Sequence, residues 1–332
     1  MGVSFGQLFQ RYGLLVVWAA VVATFSVLRP DTFFTLVNVQ TILSSQSVLL
    51  VLTLALLLPL TVGEFDLSVA GVFTVTVVLV GYLNVTRGWP ITLSIVAAII
   101  ASAVVGGVNA TLVLGAGAES IVVTLGMATL LAGISFGITE VAIAGISPGF
   151  VELVRHPYLG VQLAFWIALL LTALMWYVFV FTPLGRYMHF VGSSREVARL
   201  SGIQVNAIRA GSFVASSMMS CAAGLLMVGL AGSSDPNVGS TFLLPAFAGA
   251  FLGATAITPG RFNPWGTFIA VYFLTTGITG LEIMGLSGWV NQVFYGGSLI
   301  IAVVLSKVGL GSYLSSRSKR VASKQAGDTN VG

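Results

Sequence analysis

An all-α, polytopic membrane protein of about ten transmembrane helices is the fold class that the sequence predicts, on three observations. Of its 332 residues, 57% are hydrophobic and only 7% charged, where a soluble domain carries roughly 25% charged residues. With a mean hydropathy of +1.02, the chain lacks the polar side chains needed to cover a water-facing surface. That excludes a cytosolic enzyme, a secreted module, a nucleic-acid binder and a disordered tail. Unbroken apolar runs such as Val48–Leu60 and Trp166–Phe181 argue for helices, since a β-barrel strand alternates apolar with polar. Finally, at roughly 20 residues per crossing the length allows about ten helices and no sizeable soluble domain.

Punctuation by Pro, Gly and charge sets the elements in order. Gly13–Leu28, preceded by Arg11, reads as an uncleaved first helix (12–28), because its apolar run continues past the small-residue stretch Ala20–Ala23. Further helices are expected over 37–61, 68–86, 90–114, 119–140, 161–181, 209–232, 242–258, 265–281 and 288–306. Glu119 opens the fifth, where a carboxylate complements the helix dipole. Connectors are short except for 141–160 and 182–208, and a long connector in a compact membrane protein is where function is sought. Residues 1–314 form the membrane domain, and 315–332 form a polar tail expected to be flexible and cytoplasmic.

Charge gives the orientation. With both termini inside, all fourteen Lys and Arg except Arg29, Arg87 and Arg155 fall on the cytoplasmic side, as the positive-inside rule requires. The net charge of +4 thus reflects topology, and no basic stripe with interleaved aromatics suggests nucleic acid. Cys221 stands alone and His156 and His189 lie in separate loops, so neither a disulfide nor a metal site can be assembled. Gly-x-Ser-x-Gly occurs at Gly2–Gly6, Gly133–Gly137 and Gly145–Gly149 without a preceding strand or an activating His, so no catalytic residue is assigned.

Glu64 and Asp66 interrupt an otherwise apolar stretch from Val48 to Leu83. A central membrane carboxylate costs about 2.5–3.5 kcal/mol, so the pair must sit at an interface, solvated or partnered. One reading makes Glu64, Asp66 and Ser68 a gate or helix-break motif, with Asp66 and Ser68 capping the next helix; the other makes them a capped interfacial loop. In the connector 182–208, Ser194 is placed to cap a short surface helix over 194–207. Such a polar helix between two spans is suited to dock a soluble partner. Gly133/Gly137 and Gly249/Gly253 offer close helix approach, within the chain or between chains. Ser44, Ser45, Gln46, Asn109, Thr124, Asn291 and Gln292 are available along a translocation path or as interhelical hydrogen-bonding groups.

The connector begins Thr182-Pro-Leu-Gly185-Arg186, carries Gly192, and ends Ala198-Arg199-Leu-Ser201-Gly202-Ile203. This pattern resembles the coupling loop of ribose-type ATP-binding-cassette sugar importers. Gly63-Glu-Phe-Asp66-Leu-Ser68-Val is similar to the family's Gly-Gly-Ile-Asp-Leu-Ser-Val signature. Gly107-Val-Asn109-Ala, Thr124-Leu-Gly-Met with Gly133, and Pro245–Gly266 follow in the expected order. Glu64 and Phe65 replace a Gly and an aliphatic residue, Ala70 replaces a Gly, and Thr255–Gly266 lacks the paired glycines of typical members.

The resemblance implies a permease subunit in a bacterial cytoplasmic membrane. It would work with a second permease chain, an extracytoplasmic solute-binding protein and a separate ATP-binding-cassette ATPase that holds ATP and Mg. No cofactor is expected on this chain, which has no Gly-x-x-x-x-Gly-Lys-Ser/Thr loop. Arg195, Glu196, Arg199, Ser201 and Gly202 are the residues implied in coupling. The alternative is a stand-alone ion-coupled transporter using Glu64 and Asp66.

Overall fold

The computed structural model describes residues 5–304 apart from Ser287; the tail 315–332 lies outside the described residues. Eight stretches are long and apolar enough to cross a membrane, and two shorter apolar helices, Val238–Gly253 and Trp289–Val304, bring the apolar segments among the described residues to ten. The order is α1 (Phe5–Leu28), α2 (Leu36–Ser45), α3 (Ser47–Thr61), α4 (Val69–Gly81), α5 (Ile91–Gly115), α6 (Ser120–Ile138), α7 (Pro148–Arg155), α8 (Leu163–Phe181), α9 (Pro183–Ser193), α10 (Arg195–Leu200), α11 (Val205–Ala231), α12 (Val238–Gly253), α13 (Pro264–Ile283) and α14 (Trp289–Val304).

All fifteen residues of α3 are buried, as a helix apolar on every face requires. Around it pack α8, α11, α12 and α13, while α11 also packs along α4 and α5. Small residues permit these approaches: a Cβ at Gly224 would meet Thr76 of α4 at 2.8 Å, and one at Gly106 would meet the α11 backbone at Val214 at 2.7 Å. Gly249 and Gly253 of α12 are used within the chain, against Val271 and Thr53 and against Thr267. Gly133 and Gly137 of α6 face open space.

The expected helix 37–61 is broken at Gln46. Ser47 Oγ donates to the Ser44 carbonyl at 2.7 Å and Ser45 Oγ to that of Ile42 at 3.4 Å, side-chain bonds that compete with a continuous helical ladder. The helix expected over 68–86 ends in a π turn, Tyr82–Thr86, where Asn84 accepts from the Ser147 backbone N–H and donates to the Trp89 carbonyl. The connector 141–160 carries α7 and two short antiparallel pairings, Ile143–Ala144 with Ser233–Ser234 and Pro157–Tyr158 with Val161–Gln162. Arg155 donates twice to the Leu230 carbonyl near the C-terminus of α11, where a cation complements the helix dipole.

Loops therefore sort to two ends. One end holds 62–68, 182–204 and 254–263, together with Arg11, whose carbonyl accepts from the Ile257 N–H. This basic end carries Arg186, Arg195, Arg199, Arg209 and Arg261. The opposite end holds α7 and the 232–237 turn.

Candidate functional site

At the basic end, connector 182–208 folds as two short helices. Thr182 accepts from the Gly185 N–H and caps α9, whose first residue, Pro183, is preset for that position. A Cβ at Gly185 would lie 2.4 Å from Phe179 Cα, so this glycine lets α9 fold back on the end of α8. Ser194 caps α10 by accepting from Val197 N–H at 3.4 Å. The helix expected over 194–207 stops at Leu200, because Gly202 turns at φ +79° and Ser201 Oγ donates to the Val197 carbonyl at 2.9 Å. A Cβ at Gly202 meets nothing within 4 Å, so this position serves the turn rather than close packing. Glu196 and Arg199 are exposed beside the apolar side chains of Val197 and Leu200, the latter 82% exposed.

The connector is bound to the α3–α4 turn. A Cβ at Gly192 would lie 2.0 Å from the Thr61 carbonyl oxygen, so only glycine permits this backbone approach. Arg195 donates to the Gly63 carbonyl at 2.8 Å and to Glu64 Oε1 at 2.7 Å. The same Oε1 accepts from Arg209 Nε at 2.6 Å and lies 2.5 Å from Arg209 Nη2. Glu64 is thus a buried carboxylate held by two guanidinium groups, a charge-assisted arrangement. Arg195, a residue the resemblance implies in coupling, spends its guanidinium within the chain because Glu64 presents a buried anion within reach.

Two residues on, Asp66 has no exposed surface. Its Oδ1 accepts from the Ser68 N–H at 3.0 Å and Ser68 Oγ at 2.6 Å, and its Oδ2 from Ser216 Oγ at 2.9 Å. Burial pushes its carboxyl above the usual range, and the hydrogen bonds from Ser68 and Ser216 pull partly the other way. Ser68 does not cap α4 with its side chain, as the sequence suggests; its hydroxyl points to Asp66, the stronger acceptor. Asn109 of α5 donates to Ser68 Oγ at 2.8 Å. Thr124 and Ser120 of α6 accept from the Leu67 and Phe65 N–H groups at 3.0 and 3.3 Å. Residues 63–68 therefore tie α5, α6, α10 and α11 to the α3–α4 turn.

The suggested path residues are not brought together. Asn109 and Thr124 lie in this junction, Ser45 and Gln46 at the α2–α3 break, and Asn291 near the opposite end, where it donates to Glu282 at 3.1 Å. Arg209 and Ser216 belong to the junction, although no motif in the sequence marks them as site residues. Their signal is spacing: Arg209, Ser212, Ser216 and Ser220 share one face of α11 at intervals of three, four and four. On α9, burial and then Arg261 push the His189 imidazole below its usual range, keeping it neutral near pH 7. Among the described residues no three His, Cys, Asp or Glu side chains gather to hold a metal ion.

Ten apolar segments among the described residues, with the buried ion pairs at one end, define a polytopic helical membrane protein. The chain belongs to the family described as the permease component of the branched-chain amino acid transport system, which matches residues 38–303. It is 27% identical over 288 residues to the ribose import permease protein RbsC of Haemophilus influenzae, covering 85% of this chain and 88% of that one. It is 24% identical over 306 residues to the D-allose transport system permease protein AlsC of Escherichia coli, covering 92% and 94%. To the autoinducer 2 import system permease protein LsrD of Yersinia pseudotuberculosis it is 26% identical over 318 residues, covering 93% and 95%. No solved structure matches.

Proposed function

We propose that this chain is the membrane-spanning permease subunit of an ATP-driven importer in a bacterial cytoplasmic membrane. It passes a sugar or sugar-like solute delivered by an extracytoplasmic binding protein. The names of its relatives, which import ribose, allose or autoinducer 2, support the substrate class. In this reading both termini and the basic end face the cytoplasm, and ATP and Mg reside on a separate ATPase.

The observation that carries the mechanism is the grip of Arg195 and Arg209 on Glu64. The ATPase docks on α10 through Glu196, Arg199 and their exposed apolar neighbours, with Ser201 and Gly202 fixing the turn. Displacement of α10 pulls Arg195, and with it the turn to which α3, α4, α5, α6 and α11 are tied. A packed junction of this kind moves as a unit rather than deforming. Thr182, which donates to the Val178 carbonyl, and Gly185, packed on Phe179, anchor the other end of the lever at α8. Glu64, already committed to two cations, is poorly suited to bind and release a coupling ion, which weighs against a stand-alone ion-driven carrier.

The test is purification in mild detergent from the native host, wild type beside a Glu196→Lys/Gly202→Arg double variant. A stoichiometric ATP-binding-cassette protein with the wild type, lost from the double variant, is expected. A well-folded wild type that carries no such protein would overturn the reading.

A further inference from the structure

Between α8, α9 and the first half of α11 runs a groove of about 1170 Å³. Its walls are apolar: Leu171, Leu174 and Val178 on one side, Ile208, Ala215 and Met219 on the other. At its mouth stand Arg186 and Gln204, and no carboxylate lines it. Arg186 is exposed and, among the described residues, makes no ion pair or hydrogen bond.

The depth of the groove identifies the occupant. Leu171 lies ten residues before the end of α8 at Phe181, and Met219 fourteen residues after the start of α11 at Val205. At about 1.5 Å per residue these spans are roughly 15 and 21 Å, and one leaflet's hydrocarbon is about 15 Å deep. A soluble protein docked on the basic end does not reach that far, whereas an acyl chain does. Aromatic rings cluster around the last turns of α8, as they do near a membrane boundary: Trp176 packs on Phe181 and Trp265, and Tyr177 stacks on Phe181. Arg186 stands just beyond them, at headgroup depth, on the end richest in positive charge.

We propose that this groove binds an anionic phospholipid from the leaflet at the basic end, an acyl chain between α8 and α11 and the phosphate at Arg186. The probe is phosphatidylglycerol, with phosphatidylcholine as the zwitterionic comparison. Protein exchanged into detergent with equimolar amounts of both is weighed intact with its bound lipid. Wild type should retain about one phosphatidylglycerol per chain, and Arg186→Ala should cut the preference over phosphatidylcholine about fivefold, as expected for one cation at a membrane surface. Gly211→Trp should expel both lipids: Gly211 lines the groove and a Cβ there meets nothing within 4 Å, so the indole enters it without displacing backbone. No preference in the wild type, an unchanged preference in Arg186→Ala, or full retention by a well-folded Gly211→Trp would each overturn the proposal. So would a disulfide joining two chains through Leu174→Cys, which would assign the groove to a second copy.

Discussion

Glu64→Gln is the sharpest perturbation of the junction, because it removes one charge and almost no volume. The Glu64 side chain is 4% exposed, that of Arg209 15% and that of Arg195 43%. Deleting one partner of a buried pair costs about 3–5 kcal/mol, mostly from the charge left unpaired. Gln keeps a carbonyl oxygen for the two guanidinium groups, so the lower figure of about 3 kcal/mol applies, and Arg209 accounts for most of it. Arg195 faces solvent enough that its share is held to about 0–1 kcal/mol. At roughly 2 °C per kcal/mol for a chain of this size, Glu64→Gln should lower the apparent Tm by about 6 °C, and Arg195→Gln by less than about 2 °C. The assay is the monodisperse fraction surviving a heating series in detergent. A Glu64→Gln/Arg209→Gln double variant should recover more than half of the loss, since neither charge is then stranded. A Glu64→Gln Tm within about 1 °C of wild type would refute the assignment of a buried, energetically coupled carboxylate.

Gly192→Ala forces a Cβ into the Thr61 carbonyl and should destabilise the protein by at least about 1–3 kcal/mol, while Gly202→Asn, at a position open to solvent with φ +79°, should be nearly silent in the same heating assay. Asp66 binds its proton more tightly in the folded than in the unfolded chain, so between the unfolded value near 3.8 and the raised folded value the native state holds more protons and stability falls as pH rises. Asp66→Asn keeps acceptors for Ser68 and a donor for Ser216; its heating midpoint at pH 7 should equal or exceed wild type, and the fall with rising pH should flatten. Gly133 and Gly137 leave one face of α6 open, so Gly133→Cys chains should form disulfide-linked dimers in the membrane if a second permease packs there, and Gly249→Cys, enclosed by Thr53 and Val271, should not.

What was legible in the sequence divides by the length scale of the forces involved. The ten apolar segments follow from hydrophobic transfer summed over some twenty residues, and no tertiary contact can reverse so large a signal. Local hydrogen bonding was legible where one side chain decides: Ser194 caps α10 as its type suggests. The same chemistry misleads where several polar groups compete. Ser44, Ser45, Gln46 and Ser47 break a helix that hydropathy makes continuous, and Ser68 turns its hydroxyl to Asp66 instead of to a backbone N–H. Pairing over long separations was not legible at all: Glu64 meets Arg195 and Arg209, 131 and 145 residues away. Yet the cost of a carboxylate in an apolar stretch required an interface, solvent or a partner for Glu64, and the basic connector on the same side held candidate partners. One of the positions where this chain departs from the resembling pattern, Glu64 in place of a Gly, binds the connector to the helix bundle. A departure that introduces a charge into an apolar stretch therefore points to a compensating charge elsewhere in the chain. Here Arg209, at the head of a serine-lined helix face, was that charge.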